Sequence, residues 1–116
     1  MIPSGLHRVL DFATVIAFAA APLLFHLTGT AAILAYLLAG VHLVLTLLTR
    51  FVNGGNGVVP LAVHGMIELV VGIVLVVLPF VLGWSGIARG FFLAAGVVIL
   101  AVWALSIYDA RAGAPA

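Results

Sequence analysis

The sequence predicts an all-α integral membrane protein, a four-helix transmembrane bundle, and three observations predict it. Of the 116 residues 66% are hydrophobic and only 6% charged, against roughly 25% charged in an ordinary soluble domain, and the mean hydropathy is +1.46. The apolar residues fall into four runs, about Leu6 to Leu27, Thr30 to Phe51, Val59 to Leu82 and Ile87 to Tyr108, each near the roughly 20 residues a helix needs to cross the hydrocarbon core. The segments between them are short and rich in turn formers: His26-Leu27-Thr28-Gly29-Thr30, Asn53-Gly54-Gly55-Asn56-Gly57 and Gly83-Trp84-Ser85-Gly86. Residues 1–116 are therefore expected to form a single transmembrane domain in the lipid bilayer.

The first run is expected to be a retained span, because Asp11 interrupts it early and no small-residue cleavage pattern precedes more globular sequence. Pro22 and Pro79 lie near the ends of the first and third spans, where each frees a backbone carbonyl and is expected to kink or stop its helix. Small residues recur every fourth position in three of the spans: Ala13, Ala17 and Ala21; Ala31, Ala35 and Ala39; Gly86, Gly90 and Ala94. Such stripes let helices approach closely in lipid, so these faces are expected to pack. Arg8, Arg50 and Arg111 fall on one side of an even number of spans and Arg89 on the other, which by the positive-inside rule places both termini in the cytoplasm. Trp84, Tyr108 and Phe51 are expected at the interfaces, where amphipathic rings gather.

Composition also removes function classes. Four arginines, no lysine and a net charge of +1 are too few cations to engage a phosphate backbone, so no nucleic-acid partner is expected. The absence of cysteine excludes disulfides, thiolate metal sites and dithiol redox chemistry. The glycines at 54, 55 and 57 follow no strand and lack a phosphate-binding lysine, so they are read as a turn. No nucleophile elbow, zinc-protease helix or paired-acid hydrolase pattern is present, and the chain is not expected to be an enzyme.

Sliding the sequence against itself by 57 positions aligns its rarest residues: Pro3 with Pro60, His7 with His64, Asp11 with Glu68, Pro22 with Pro79, Thr28 with Ser85 and Gly29 with Gly86. We read this as a duplicated two-helix unit, repeat 1 covering about residues 3–52 and repeat 2 about 60–109. Two spans per unit give the copies the same orientation, hence two parallel repeats about a pseudo-two-fold axis along the membrane normal. The stretches Leu6-His7 to Asp11 with Ala21-Pro22-Leu23-Leu24-Phe25, and Val63-His64 to Glu68 with Leu78-Pro79-Phe80-Val81-Leu82-Gly83, resemble the SPW-repeat integral membrane proteins. The Ser and Trp of that motif are replaced here by Ala21 and Leu23, and by Leu78 and Phe80. The resemblance implies a four-span fold in a bacterial inner membrane and no established biochemical activity.

An acid near the middle of a span costs roughly 2.5 to 3.5 kcal/mol on insertion scales, so intramembrane acids usually face a bundle interior or a watery cavity. His7 precedes Asp11 by four residues and His64 precedes Glu68 by four, a spacing that puts each pair on one helical face, with the acids about 6 Å deeper. The duplication brings both pairs towards a common axis. The first reading is structural, with Arg8 neutralising Asp11 and the pairs acting as interhelical glue. The second is a proton or small-cation site; the third a metal site of two His and two carboxylates, with the metal unknown; the least favoured is bis-His haem. No cofactor is called for by any motif.

His42 lies on the stripe Ala35, Ala39, His42, Thr46 and Thr49, which reads as an inward face. The favoured expectation is a histidine bonded to a backbone carbonyl or a Thr, because its counterpart in the second repeat, near Val98, is apolar; the other is an extension of the His7/His64 cluster. His26 is expected at the outer interface. The function expected is a structural or accessory membrane component that assembles with itself or with another membrane protein. The alternative is cation handling through His7, Asp11, His64, Glu68 and His42.

Overall fold

The computed structural model describes residues 2–49 and 57–106. Four helices run in chain order among them: α1 Ser4–Leu24, α2 Gly29–Leu48, α3 Leu61–Val81 and α4 Gly86–Leu105. Each is long and apolar enough to cross a membrane. At 1.5 Å per residue, α1 and α3, with 21 residues each, are about 31 Å long, the thickness of the hydrocarbon core. The longest dimension is 42 Å, which spans the headgroup regions as well.

Every helix boundary in the second half lies 57 positions after one in the first, and the chemistry that sets the boundaries recurs with it. Pro3 and Pro60 stand before α1 and α3 in extended conformation, and their carbonyls accept the first bonds, from the His7 and His64 amides at 3.0 and 3.1 Å. At the far ends, the Leu27 amide donates to the Pro22 carbonyl at 3.1 Å and the Trp84 amide to that of Pro79 at 2.8 Å, the six-to-one closure of a Schellman motif. That closure needs a left-handed residue, supplied by His26 at φ +54° in one turn and by Gly83 at φ +69° in the other. Pro22 and Pro79 thus stand in the last turn of their helices, where each leaves one carbonyl a turn earlier without its helical amide but little helix remains beyond the ring to be kinked.

The helices stop short of two of the apolar runs. α2 ends at Leu48 and α4 at Leu105, because Thr49 and Ser106 turn extended, with ψ 142° and 160°. The extended segments pair with the stretches that precede α3 and α1: the Val59 amide donates to Leu48 and the Ile2 amide to Leu105, at 2.8 and 2.6 Å. One end of the bundle is thereby closed, with α2 tied to α3 and α4 to α1. Arg50, Phe51, Tyr108 and Arg111, together with positions 53–56 of the central connection, lie outside the described residues.

α1 packs along α2 and α3 along α4, and the two hairpins use different means. Ala31, Ala35 and Ala39 are buried on α2, as the stripe predicts. In the second hairpin the close approach is made by Gly72 and Gly96: a Cβ built at Gly96 would stand 3.0 Å from the Gly72 carbonyl oxygen and 2.8 Å from Val76. The other two expected stripes pack in part or not at all. Of the first, Ala21 is buried in the core while Ala13 and Ala17 are exposed; Gly86, Gly90 and Ala94 are all exposed, and α4 instead buries Phe92, Gly96 and Ile99. In lipid a small residue facing outward costs nothing by hydrophobicity, so spacing alone cannot assign the packed face.

The interior divides along the axis. Towards the tight turns it is aromatic: Phe18 of α1 meets Phe91 of α4 edge to face at 5.6 Å between centroids, and Trp84 tilts over Phe92 at 4.8 Å. Towards the closed end it is polar. Large apolar side chains such as Leu23 (76% exposed) and Val81 (71%) point outward, the arrangement a lipid solvent permits and water does not.

Candidate functional site

Five side chains from three helices converge in the polar half of the interior. α1 supplies His7 and Asp11, α3 supplies His64 and Glu68, and α2 supplies His42, all buried. Asp11 and Glu68 each lie seven residues into their helices, about 10 Å from the start, and both are 3% exposed. His7 Nε2 stands 3.2 Å from Asp11 Oδ1 and 3.0 Å from Glu68 Oε2. His64 Nε2 is 2.9 Å from Asp11 Oδ2 and 3.0 Å from Glu68 Oε1. Each imidazole therefore reaches both the acid of its own helix and that of the other hairpin. The two rings meet edge to face at 5.4 Å between centroids.

His42 joins them. Its Nε2 is 3.4 Å from Asp11 Oδ1 and 3.9 Å from Glu68 Oε1, so it faces the carboxylates and not the backbone carbonyl or Thr that the favoured sequence expectation gave it. The position 57 residues on is Ile99, buried in the apolar core, so the third imidazole is present on one side only. Arg8 is also placed differently from expectation. Its guanidinium lies over the Phe12 ring at 5.2 Å, and the ionic partners of Asp11 are instead His7, His42 and His64. Asp11 turns to three imidazoles in the interior, while the long Arg8 stem carries its charge to the face of a ring on its own helix. His26 is exposed in the first tight turn, beyond the end of α1 opposite to His7 and Asp11.

Two hydroxyl residues outside the sequence-predicted site orient the rings. Thr49 Oγ1 lies 2.7 Å from His64 Nδ1 and donates its proton to the Leu45 carbonyl at 2.6 Å. Ser106 Oγ lies 2.7 Å from His7 Nδ1 and donates to the Val102 carbonyl at 2.6 Å. A hydroxyl has one proton to give; with that proton on the carbonyl, the oxygen accepts from the ring, and Nδ1 of both histidines carries hydrogen. The hydrogen-bond network thus assigns the tautomer, and Nε2 of each ring is the nitrogen that faces the carboxylates. Thr49 and Ser106 are themselves 57 positions apart, so the self-comparison contained the signal that finds them.

A neutral imidazole so held presents a lone pair to carboxylate oxygens about 3 Å away, acceptor against acceptor. The geometry is completed by positive charge at the centre, carried either as protons on Nε2 or as a cation shared by nitrogen and oxygen. Three polar atoms here are buried without an aligned hydrogen-bond partner: Asp11 Oδ2, His42 Nε2 and Thr46 Oγ1, the last one turn along α2 from His42. One-atom donors of His7, Asp11, His64 and Glu68 all lie within 4.8 Å of one another, a spacing that can hold a metal ion. Haem does not fit, because carboxylate oxygens fill the space between the ring nitrogens that a macrocycle would need.

No family model matches this chain, and neither the curated proteins nor the solved structures contain a match to it.

Proposed function

We propose that this chain is a small multi-pass membrane protein that holds a cation, a proton or a small metal ion, between two buried carboxylates, and that cation handling at this cluster is its activity. The carrying observation is the pair of hydroxyls, Thr49 Oγ1 and Ser106 Oγ, each 2.7 Å from an imidazole Nδ1 and each committed to a backbone carbonyl, an arrangement that turns both Nε2 atoms onto Asp11 and Glu68. An ionised acid in a span is costly. His7, His42 and His64 each stand against both acids, so positive charge gathered at these imidazoles, as a bound proton or a shared ion, offsets the two carboxylates.

The recurrence at 57 positions of helix boundaries, Schellman closures and imidazole-hydroxyl pairs supports a tandem duplication of a two-helix unit, in the manner of the SPW-repeat proteins. A bacterial inner membrane, with both termini cytoplasmic, is the location that goes with it. Arg8 near the closed end and Arg89 near the turn end fit that orientation only together with Arg50 and Arg111.

The test is reconstitution into sealed vesicles. Wild-type protein is expected to dissipate an imposed cation or pH gradient, read by an enclosed dye, and the double variant Asp11→Asn with Glu68→Gln to lose that flux. Equal rates for the two would refute the reading and leave the second one, a structural or accessory component. That second reading is favoured by the crosswise ties His7 to Ser106 and His64 to Thr49, which join one hairpin to the other.

A further inference from the structure

Resting on that reading, we infer that the cation is a transition-metal dication, held through Nε2 of His7, His42 and His64 and the carboxylates of Asp11 and Glu68. The first argument is donor chemistry. Three imidazole nitrogens and two carboxylate oxygens form a borderline set that suits zinc, iron, cobalt or manganese, whereas magnesium and calcium take shells made of oxygen.

The second is spacing. Donors at about 2.1 Å from a common ion stand about 3.0 to 4.2 Å from one another; the nitrogen-oxygen separations here run from 2.9 to 3.9 Å, and the donors of His7, Asp11, His64 and Glu68 lie within 4.8 Å of one another, so these four close on the ion by small side-chain movements and His42 joins from 3.4 Å off Asp11. The third is the shell behind the ligands. Metal-bound histidines characteristically donate their other ring N–H to a fixed acceptor, and both Nδ1 atoms do so, to hydroxyls locked in turn on backbone carbonyls. The fourth is the pair of orphans. Asp11 Oδ2 and His42 Nε2 are buried and lack an aligned hydrogen-bond partner, yet both face the centre of the cluster, where an ion would satisfy them together. Charge selects between ions: two carboxylates are neutralised by one dication, while a monovalent ion among neutral imidazoles leaves a net negative charge in lipid.

The experiment uses the full chain with a histidine-free affinity tag, purified in detergent, treated with chelator, loaded with Co²⁺ or Zn²⁺ and desalted. The expected result is one metal per chain by elemental mass spectrometry, visible Co²⁺ bands of a nitrogen-containing shell, and no displacement by a large excess of Mg²⁺ or Ca²⁺. Ser106→Ala, which removes the acceptor behind His7, is expected to weaken Co²⁺ binding by about 10- to 100-fold. His42→Ile, which copies the isoleucine that fills the corresponding place at position 99, is expected to fold normally and to shift the Co²⁺ spectrum. Absence of stoichiometric Co²⁺ and Zn²⁺ in the wild type overturns the inference, as does a spectrum unchanged in folded His42→Ile. If no metal binds but carboxylate-dependent proton flux persists in vesicles, this inference fails and the cation-site reading stands; if that flux is also missing, both fail.

Discussion

Removing the hydroxyl behind His64 tests the geometry of the cluster most directly. Thr49 and His64 are both 0% exposed, and Thr49 Oγ1 is the acceptor 2.7 Å from the ring Nδ1. Thr49→Ala takes that acceptor from a buried N–H, a loss that costs about 1 to 3 kcal/mol in protein interiors; side-chain hydrogen bonds between membrane helices average about 0.6 and reach about 1.7. The upper part of the membrane range applies, because the same oxygen is fixed by its bond to the Leu45 carbonyl. Thr49→Ser deletes only the methyl, so the difference between the two variants isolates the hydroxyl, with an expected value of about 1 to 1.7 kcal/mol. At about 1.4 kcal/mol per decade, that is roughly a tenfold change in the unfolding constant. Reversible thermal melting in detergent, followed by circular dichroism, reads it, with Thr30→Ala at an exposed position as the control. If Thr49→Ala and Thr49→Ser melt together, the hydroxyl does not set the ring. The tautomer argument, and the positive centre derived from it, then fall.

Two further predictions concern the scaffold. Gly96→Ala forces a Cβ to within 3.0 Å of the Gly72 carbonyl, so α3 and α4 must separate and stability should drop by about 1 to 3 kcal/mol, whereas Gly40→Ala, which meets nothing within 4 Å, should be neutral or stabilising; equal melting points would show that the glycine contact does not set the helix distance. In the tight turns, His26 and Gly83 hold corresponding left-handed positions, so His26→Gly should relieve strain and Gly83→Ala should introduce about 1 to 2 kcal/mol of it. A stabilising Gly83→Ala would contradict the Schellman assignment.

How much of the molecule was legible in its sequence depended on polarity. His7, Asp11, His64 and Glu68 stood out because polar groups are scarce and expensive in a span, and their common register put them at one depth. Apolar packing was far less legible. The stripe Ala31, Ala35 and Ala39 is buried, but the equally regular Gly86, Gly90 and Ala94 face outward, and the pair that brings α3 and α4 together, Gly72 and Gly96, lies on no marked stripe. Lipid tails and a helix-packed interior are alike to an apolar side chain, so hydrophobicity carries no inside-outside signal here.

By itself, then, the sequence determined the solvent, the number of spans, the matched depth of two His-carboxylate pairs and the recurrence that relates them, because each follows from composition, length and local spacing. Only the tertiary structure decided the partners. It brought His42 from α2 against Asp11, set Arg8 aside over Phe12, and placed Ser106 behind His7 and Thr49 behind His64. The physical reason is that hydrogen bonds and charge contacts act over about 3 Å. Their members come from helices 15 to 99 positions apart in the chain, and no periodicity within one helix reports which face of another it will meet.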